Sequence, residues 1–253
     1  MRKKTALLGF IFCCALALPL AAHDTMLFAR TVRGASAIKS EGEPVPAGGF
    51  CAAKGCELSC AEGETLACAL SNGAVIMLKG DSKAKIAEAS QEPSKSRGNV
   101  LSDEKSPSIT KVELQRGELY MLRPPARPTS AFEVSTAFGT VSAGGENLYV
   151  KLCEGSETAC AVDFAASFQG LGAEAPEYIG IGYMFKIKSE NGKIAGSRER
   201  MHEKDASRLK RVFDSLNDAK LTTAFEFSED GKALKAYRIF PKFFYARDPK
   251  RTD

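Results

Sequence analysis

The chain has 253 residues, 44% of them hydrophobic and 26% charged, enough for one large β domain or two smaller ones and too apolar for global disorder. Its formal charge of +4 includes Arg2, Lys3 and Lys4, and without these three 32 basic residues face 31 acidic ones. A net of +1 leaves no electrostatic footprint for nucleic acid or anionic lipid, and the absence of tryptophan weakens a carbohydrate-stacking reading.

Residues 1–22 read as a secretory signal peptide cut after Ala22, with a cationic start, an apolar run from Ala6 to Leu18, then helix-breaking Pro19 and small Ala21-Ala22. That run is shorter than the about 20 residues of a bilayer-spanning helix. The mature chain is therefore expected to be soluble, periplasmic or secreted, with no transmembrane span. Met26 to Lys39 suggests one or two strands, and Gly42 to Gly49, with Pro44 and Pro46, a turn-rich connection.

Of eight cysteines, Cys13 and Cys14 fall in the signal peptide. The remaining Cys51, Cys56, Cys60, Cys68, Cys153 and Cys160 are even in number, which in an exported chain predicts disulfides. The spacing of the first four does not suit a zinc knuckle, whose cysteines pair two to four residues apart. Asn72-Gly73 is a hairpin signal, followed by the apolar run Ala74 to Leu78 and the alternating Lys83-Ala84-Lys85-Ile86. Residues 90–108 are polar with two prolines and predict a mobile surface loop. Alternation returns at Ile109 to Leu122 and at Phe132 to Val150, on either side of proline-rich Arg123 to Ser130.

Only Glu154-Gly155-Ser156-Glu157-Thr158-Ala159 separates Cys153 from Cys160. A hairpin looping out those turn formers would pair the two sulfurs, leaving the other four cysteines to pair among themselves. Farther on, Ile179 to Lys188 reads as a strand ending at Asn191-Gly192. Leu209, Val212, Phe213 and Leu216 stand at i, i+3, i+4 and i+7 and predict one amphipathic helix over about Asp205 to Ala219, with Asp205 as N-cap. Two strands, Leu221 to Phe227 and Ala233 to Phe240, should complete the chain and cover the helix stripe.

The segments Ser71-Asn72-Gly73-Ala74-Val75-Ile76-Met77-Leu78, Val112-Glu113-Leu114-Gln115-Arg116-Gly117-Glu118-Leu119 and Phe132-Glu133-Val134-Ser135-Thr136-Ala137-Phe138-Gly139-Thr140-Val141 resemble, in that order, three strands of the FecR domain. Ala137 stands where that family has proline. Gly144-Gly145 and Leu148-Tyr149-Val150 continue the resemblance, which covers about Ser71 to Leu152. It implies an antiparallel β-sandwich or β-roll outside the cytoplasm. The family's sigma-factor relay is not carried over, because it uses a cytoplasmic region and a membrane helix ahead of the domain.

Candidate chemistry is sparse. An amino-terminal His23 could chelate copper only with a second histidine, and His202 is the sole candidate. No nucleophile elbow or phosphate-binding loop occurs, and the carboxylates are scattered among lysines. Phe240, Phe243, Phe244 and Tyr245 read as a cap on the last strand. The expectation is thus a mainly β protein: a signal peptide at 1–22, a disulfide-stabilised FecR-like domain at 23–160 and an α+β region at 161–253. It should act without catalysis, cofactor or metal as a binding or assembly module of the cell envelope, with a protein or polymer partner. The alternative is an exported hydrolase of envelope polymers using an unidentified carboxylate pair.

Overall fold

The computed structural model describes residues 22–93, 100–101, 106–123, 129–154, 156–161, 166–190, 193–229 and 231–239. Among them, in chain order, run β1 (His23–Asp24), β2 (Met26–Thr31), β3 (Ala37–Ser40), β4 (Glu43–Val45), β5 (Phe50–Ala52), β6 (Glu57–Cys60) and β7 (Thr65–Leu70). The middle holds β8 (Val75–Gln91), β9 (Val100–Leu101), β10 (Ser108–Leu122), β11 (Ala131–Ser135), β12 (Gly139–Ala143) and β13 (Asn147–Cys153). Then follow β14 (Ser156–Ala161), β15 (Ala166–Gly170), β16 (Glu177–Ile179), β17 (Tyr183–Glu190), β18 (Lys193–Arg200), α1 (Glu203–Leu221), β19 (Thr223–Phe227) and β20 (Ala233–Arg238). The protein is mainly β with a single described helix, as its residue pattern predicts.

The organising element is a two-stranded ribbon of β8 and β10, antiparallel from Ser108↔Gln91 to Leu122↔Val75. Register shifts at Leu114/Arg116 and Arg116/Glu118 bend it in the middle. Gly117 makes the bend possible. Its φ is +88°, and a Cβ there would lie 2.1 Å from Ser82 Oγ and 2.6 Å from the Asp81 carbonyl oxygen. Ser82 Oγ fastens the corner, donating to the Lys79 carbonyl at 2.6 Å and accepting from the Glu118 N–H at 2.8 Å.

Each half of the ribbon seeds one sheet. Sheet I, in spatial order, is β5-β2-β7-β8-β10-β13-β14-β17-β18. Sheet II is β4-β3-β6-β8-β10-β11-β12-β15-β16, with β1 on the far end of β8. All pairings are antiparallel except β10 with β11. That exception follows from the bend, which brings the end of β10 back over the start of β11: the Arg123 guanidinium sits 5.1 Å from the Phe132 ring centroid.

Between the sheets lies one core, with Leu27, Leu66, Leu78, Leu119 and Leu148 from sheet I meeting Ile38, Leu58, Ile86, Val112 and Phe132 from sheet II. The other face of sheet I is buried too. Phe28, Met77, Tyr120, Tyr149 and Met184 pack there against Leu209, Phe213 and Leu216 of α1 and Phe225 of β19. A small sheet of β20-β19-β9 completes that layer.

Several expectations change. The helix begins at Glu203, with His202 at the N-cap position and Asp205 inside the first turn. Its stripe rests mainly on sheet I, with Tyr120 and Phe213 rings 6.1 Å apart edge to face, and touches β19 as well. Residues 166–200, part of the α+β region expected at 161–253, pair into both sheets, so the hydrogen-bonded network runs across residue 160. Within the expected loop 90–108, Val100 and Leu101 pair with Phe225 and Ala224, while 94–99 and 102–105 lie outside the described residues. The signal peptide through Ala21 and the Phe240 to Tyr245 cluster also lie outside them. No described helix is long and apolar enough to cross a membrane.

Candidate functional site

The cysteines fall into distinct settings. The hairpin of β13 and β14 forms, but its turn closes between Cys153 and Ser156, so Cys160 stands opposite Tyr149. Cys153 and Cys160 are four rungs apart, about 13 Å along the strand, beyond the about 7 Å that a disulfide spans between Cα atoms. Of the residues read as loop formers, Ser156 to Ala159 extend β14 instead. Cys153 is an exposed thiol. Cys60 is buried, with Ser36 Oγ donating to its sulfur at 3.5 Å. Cys68 is buried and directed at the Ile76 carbonyl, 3.7 Å away; burial pushes its thiol up to about 12.

Cys51 and Cys56 are different, because their sulfurs touch at 3.7 Å. Cys51 belongs to β5, the edge of sheet I, while Cys56 immediately precedes β6 of sheet II. The short link between them is held from both sides: the Ala53 N–H donates to the Thr25 carbonyl and the Gly55 N–H to the Ile86 carbonyl, each at 2.8 Å.

Under α1 sits a polar cluster. Glu118 accepts from Tyr120 OH at 2.7 Å and from Lys151 Nζ at 3.0 Å, and Arg208 Nη1 lies 3.7 Å from its second oxygen. Burial alone would raise this carboxyl, but the bonds from Tyr120 and Lys151 and the charges of Lys151 and Arg208 outweigh it and hold Glu118 below the usual range. Burial and the bond to Glu118 push the Tyr120 hydroxyl up. A carboxylate fixed in its anionic form cannot serve as a general acid near neutrality. This cluster docks the helix. Beside it, a cleft of about 260 Å³ is lined by Lys186, Glu199, His202, Asp205 and Arg208 among others, with Lys186 and Glu199 already paired at 2.6 Å.

His202 is exposed at the start of α1, whereas His23 lies on β1 at the end of β8. Among the described residues no group of three or more His, Cys, Asp and Glu side chains is placed to hold a metal ion.

The remaining feature is the open end of the sandwich between β15–β16 and β17–β18. A groove of about 520 Å³ opens there, lined by Phe168, Gly170 and Glu177 on the sheet II side and by Phe185, Ile187, Gly196 and Arg198 of sheet I. The two rings are 5.3 Å apart. Gly196 is needed for close approach, since a Cβ would meet Phe185 Cζ at 2.4 Å. Next to the lining residues in the chain stand four of the six exposed large apolar side chains among the described residues, Leu171 (67%), Tyr178 (61%), Ile181 (61%) and Tyr183 (40%). Strand β18 borders the groove. It pairs only with β17 among the described residues, and residues 195–200 are exposed throughout. Its charges lean positive, with Arg198 over the Tyr183 ring at 5.4 Å, Arg200 beside it and Lys188 exposed on the neighbouring strand.

Sequence reasoning missed this site. The available signal was Leu171, Tyr178, Ile181 and Tyr183 set in the glycine-rich stretch Gly170 to Tyr183, apolar residues that follow neither strand nor helix period.

No family model and no curated protein matches the chain. Two crystal structures from Parabacteroides distasonis, provisionally called anti-sigma factors, are similar to it. One, solved at 2.50 Å, is 15% identical with a TM-score of 0.45, covering 65% of this chain and 73% of its own. The other, at 1.65 Å, is 14% identical with a TM-score of 0.46, covering 72% and 84%. Scores this low carry no argument about this chain.

Proposed function

We propose that the protein is a non-enzymatic binding module of the cell envelope that captures an extended segment of a partner protein along β18. The observation that carries this reading is an exposed edge strand bordering a groove of mixed polar and apolar lining. Its backbone can extend the sheet through main-chain hydrogen bonds, while the groove beside the packed Phe168 and Phe185 rings can take a side chain of the added strand. Exposed apolar side chains next to the lining residues in the chain suit a partner surface. Arg198, Arg200 and Lys188 favour acidic residues in that segment. The FecR-like resemblance of Ser71 to Leu152 supports an extracytoplasmic setting, as does the signal-peptide pattern of residues 1–22.

Selection of random peptides displayed on phage against the immobilised chain tests the proposal. Selected peptides should alternate apolar and acidic residues, and binding should slow amide exchange in β18. The double variant Arg198→Glu, Arg200→Glu should weaken such peptides about tenfold or more. Peptides without that pattern, or binding indifferent to the double variant, would refute the β18 site.

A further inference from the structure

The second end of the sandwich carries a different chemistry. Cys51 is half-buried at the edge of sheet I, whereas Cys56 is 0% exposed. The Cys56 sulfur lies 3.1 Å from the Ala52 carbonyl oxygen and 3.7 Å from the Cys51 sulfur, and its proton can go to either. The link between them is fixed by the Thr25 and Ile86 carbonyls, so the two sulfurs meet by construction rather than by chance of a loose loop. A disulfide needs the sulfurs at about 2.05 Å, within reach of side-chain rotation from this contact. Cys60 and Cys68 are each turned to another partner, Ser36 and the Ile76 carbonyl.

We infer that Cys51 and Cys56 form a thiol–disulfide exchange site, with Cys51 the attacking sulfur, Cys56 the resolving sulfur and a small or protein-borne disulfide as co-substrate. In the first step the Cys51 thiolate attacks one sulfur of the incoming disulfide. A mixed disulfide forms and the other half leaves as a thiolate, which takes a proton from water. In the second, Cys56 gives its proton to solvent and its thiolate attacks Cys51 Sγ, expelling the remaining half as a thiolate that takes a proton from water. Two electrons pass from the protein to the incoming disulfide, and the protein ends with one Cys51–Cys56 bond. The local chemistry agrees with this division of roles. The hydrogen bond from Cys56 lowers the Cys51 thiol to about 7, against the opposing effect of burial. The same bond, together with burial, raises Cys56. A lowered thiol value enlarges the thiolate fraction that attacks a disulfide.

The purified chain, equilibrated in glutathione buffers of graded potential and alkylated, tests the assignment. Digestion at lysine and glutamate separates all four nearby cysteines, because Lys54, Glu57, Glu62 and Glu64 fall between them. The oxidised chain should give a linked Cys51–Cys56 pair that reduced glutathione opens. Cys56→Ser should trap glutathione on Cys51 at least about tenfold more than Cys51→Ser traps it on Cys56. A link from Cys51 to Cys60, Cys68 or Cys153, or thiols at both positions in oxidised glutathione, overturns the site on the unaltered chain. Equal trapping in the two variants overturns the assignment of Cys51 as the attacking sulfur.

Discussion

At the scale of single residues, two positions bear disproportionate weight for opposite reasons. Gly117 is needed for what it lacks, since its φ of +88° and the nearby Ser82 and Asp81 atoms exclude a side chain. Gly117→Ala should therefore cost more than about 2 kcal/mol. Gly42, at a φ of +86° with nothing within 4 Å of a Cβ, is the matched control, and Gly42→Ala should cost about 1 kcal/mol for the backbone alone. Equal losses in urea unfolding would mean the ribbon corner tolerates a Cβ. Glu118 matters for what it holds. Its side chain is 19% exposed and binds Tyr120, Lys151 and Arg208. Glu118→Gln should cost about 1–2 kcal/mol at pH 7. Because the folded-state carboxyl titrates below its ordinary value, that stabilisation is complete above the usual glutamate range and fades as pH falls through the folded value. Urea midpoints of the parent and variant should thus converge on acidification, and a gap independent of pH would show that the charge contributes nothing.

Individual elements show how the residue pattern encodes position in the fold. Strand β8 changes its pattern at the bend. Val75 to Leu78 are continuously buried, whereas Lys83, Ala84, Lys85 and Ile86 alternate exposed and buried. The switch is legible in the sequence and has a physical cause: sheet I is covered on both faces, sheet II on one. The mainly β class, the Asn72-Gly73 turn and the helix stripe were legible for the same reason, since each depends on local spacing. The Cys51–Cys56 contact and the groove at Phe168 and Phe185 were not, because each joins elements of different sheets. Nor was the β13–β14 register, where turn-forming residues became strand. The helix supplies the sharpest test at this scale. Phe213 is 4% exposed against Tyr120, so Phe213→Ala should cost about 3–5 kcal/mol. Lys210 is exposed and pairs with Asp214 four residues on, so Lys210→Ala should cost no more than about 0.5 kcal/mol. Similar small losses in thermal unfolding would mean that the stripe does not anchor α1.

On the scale of the whole molecule, strands before and after residue 160 pair with one another, and both contribute to the single inter-sheet core. Far-ultraviolet circular dichroism and tyrosine fluorescence should therefore report one coincident urea transition. Two separated transitions would mean that the C-terminal region unfolds independently.

The ribbon corner has a mechanical consequence. Because β8 and β10 each pass from one sheet into the other, no seam free of hydrogen bonds divides the two halves of the sandwich. A load that pulled the layers apart would act along those two strands, across a ladder whose bonds lie perpendicular to them. Such a ladder yields by shearing many bonds together rather than by unzipping them singly. A module anchored through one layer and gripping its partner at the edge of the other would transmit force without opening its core.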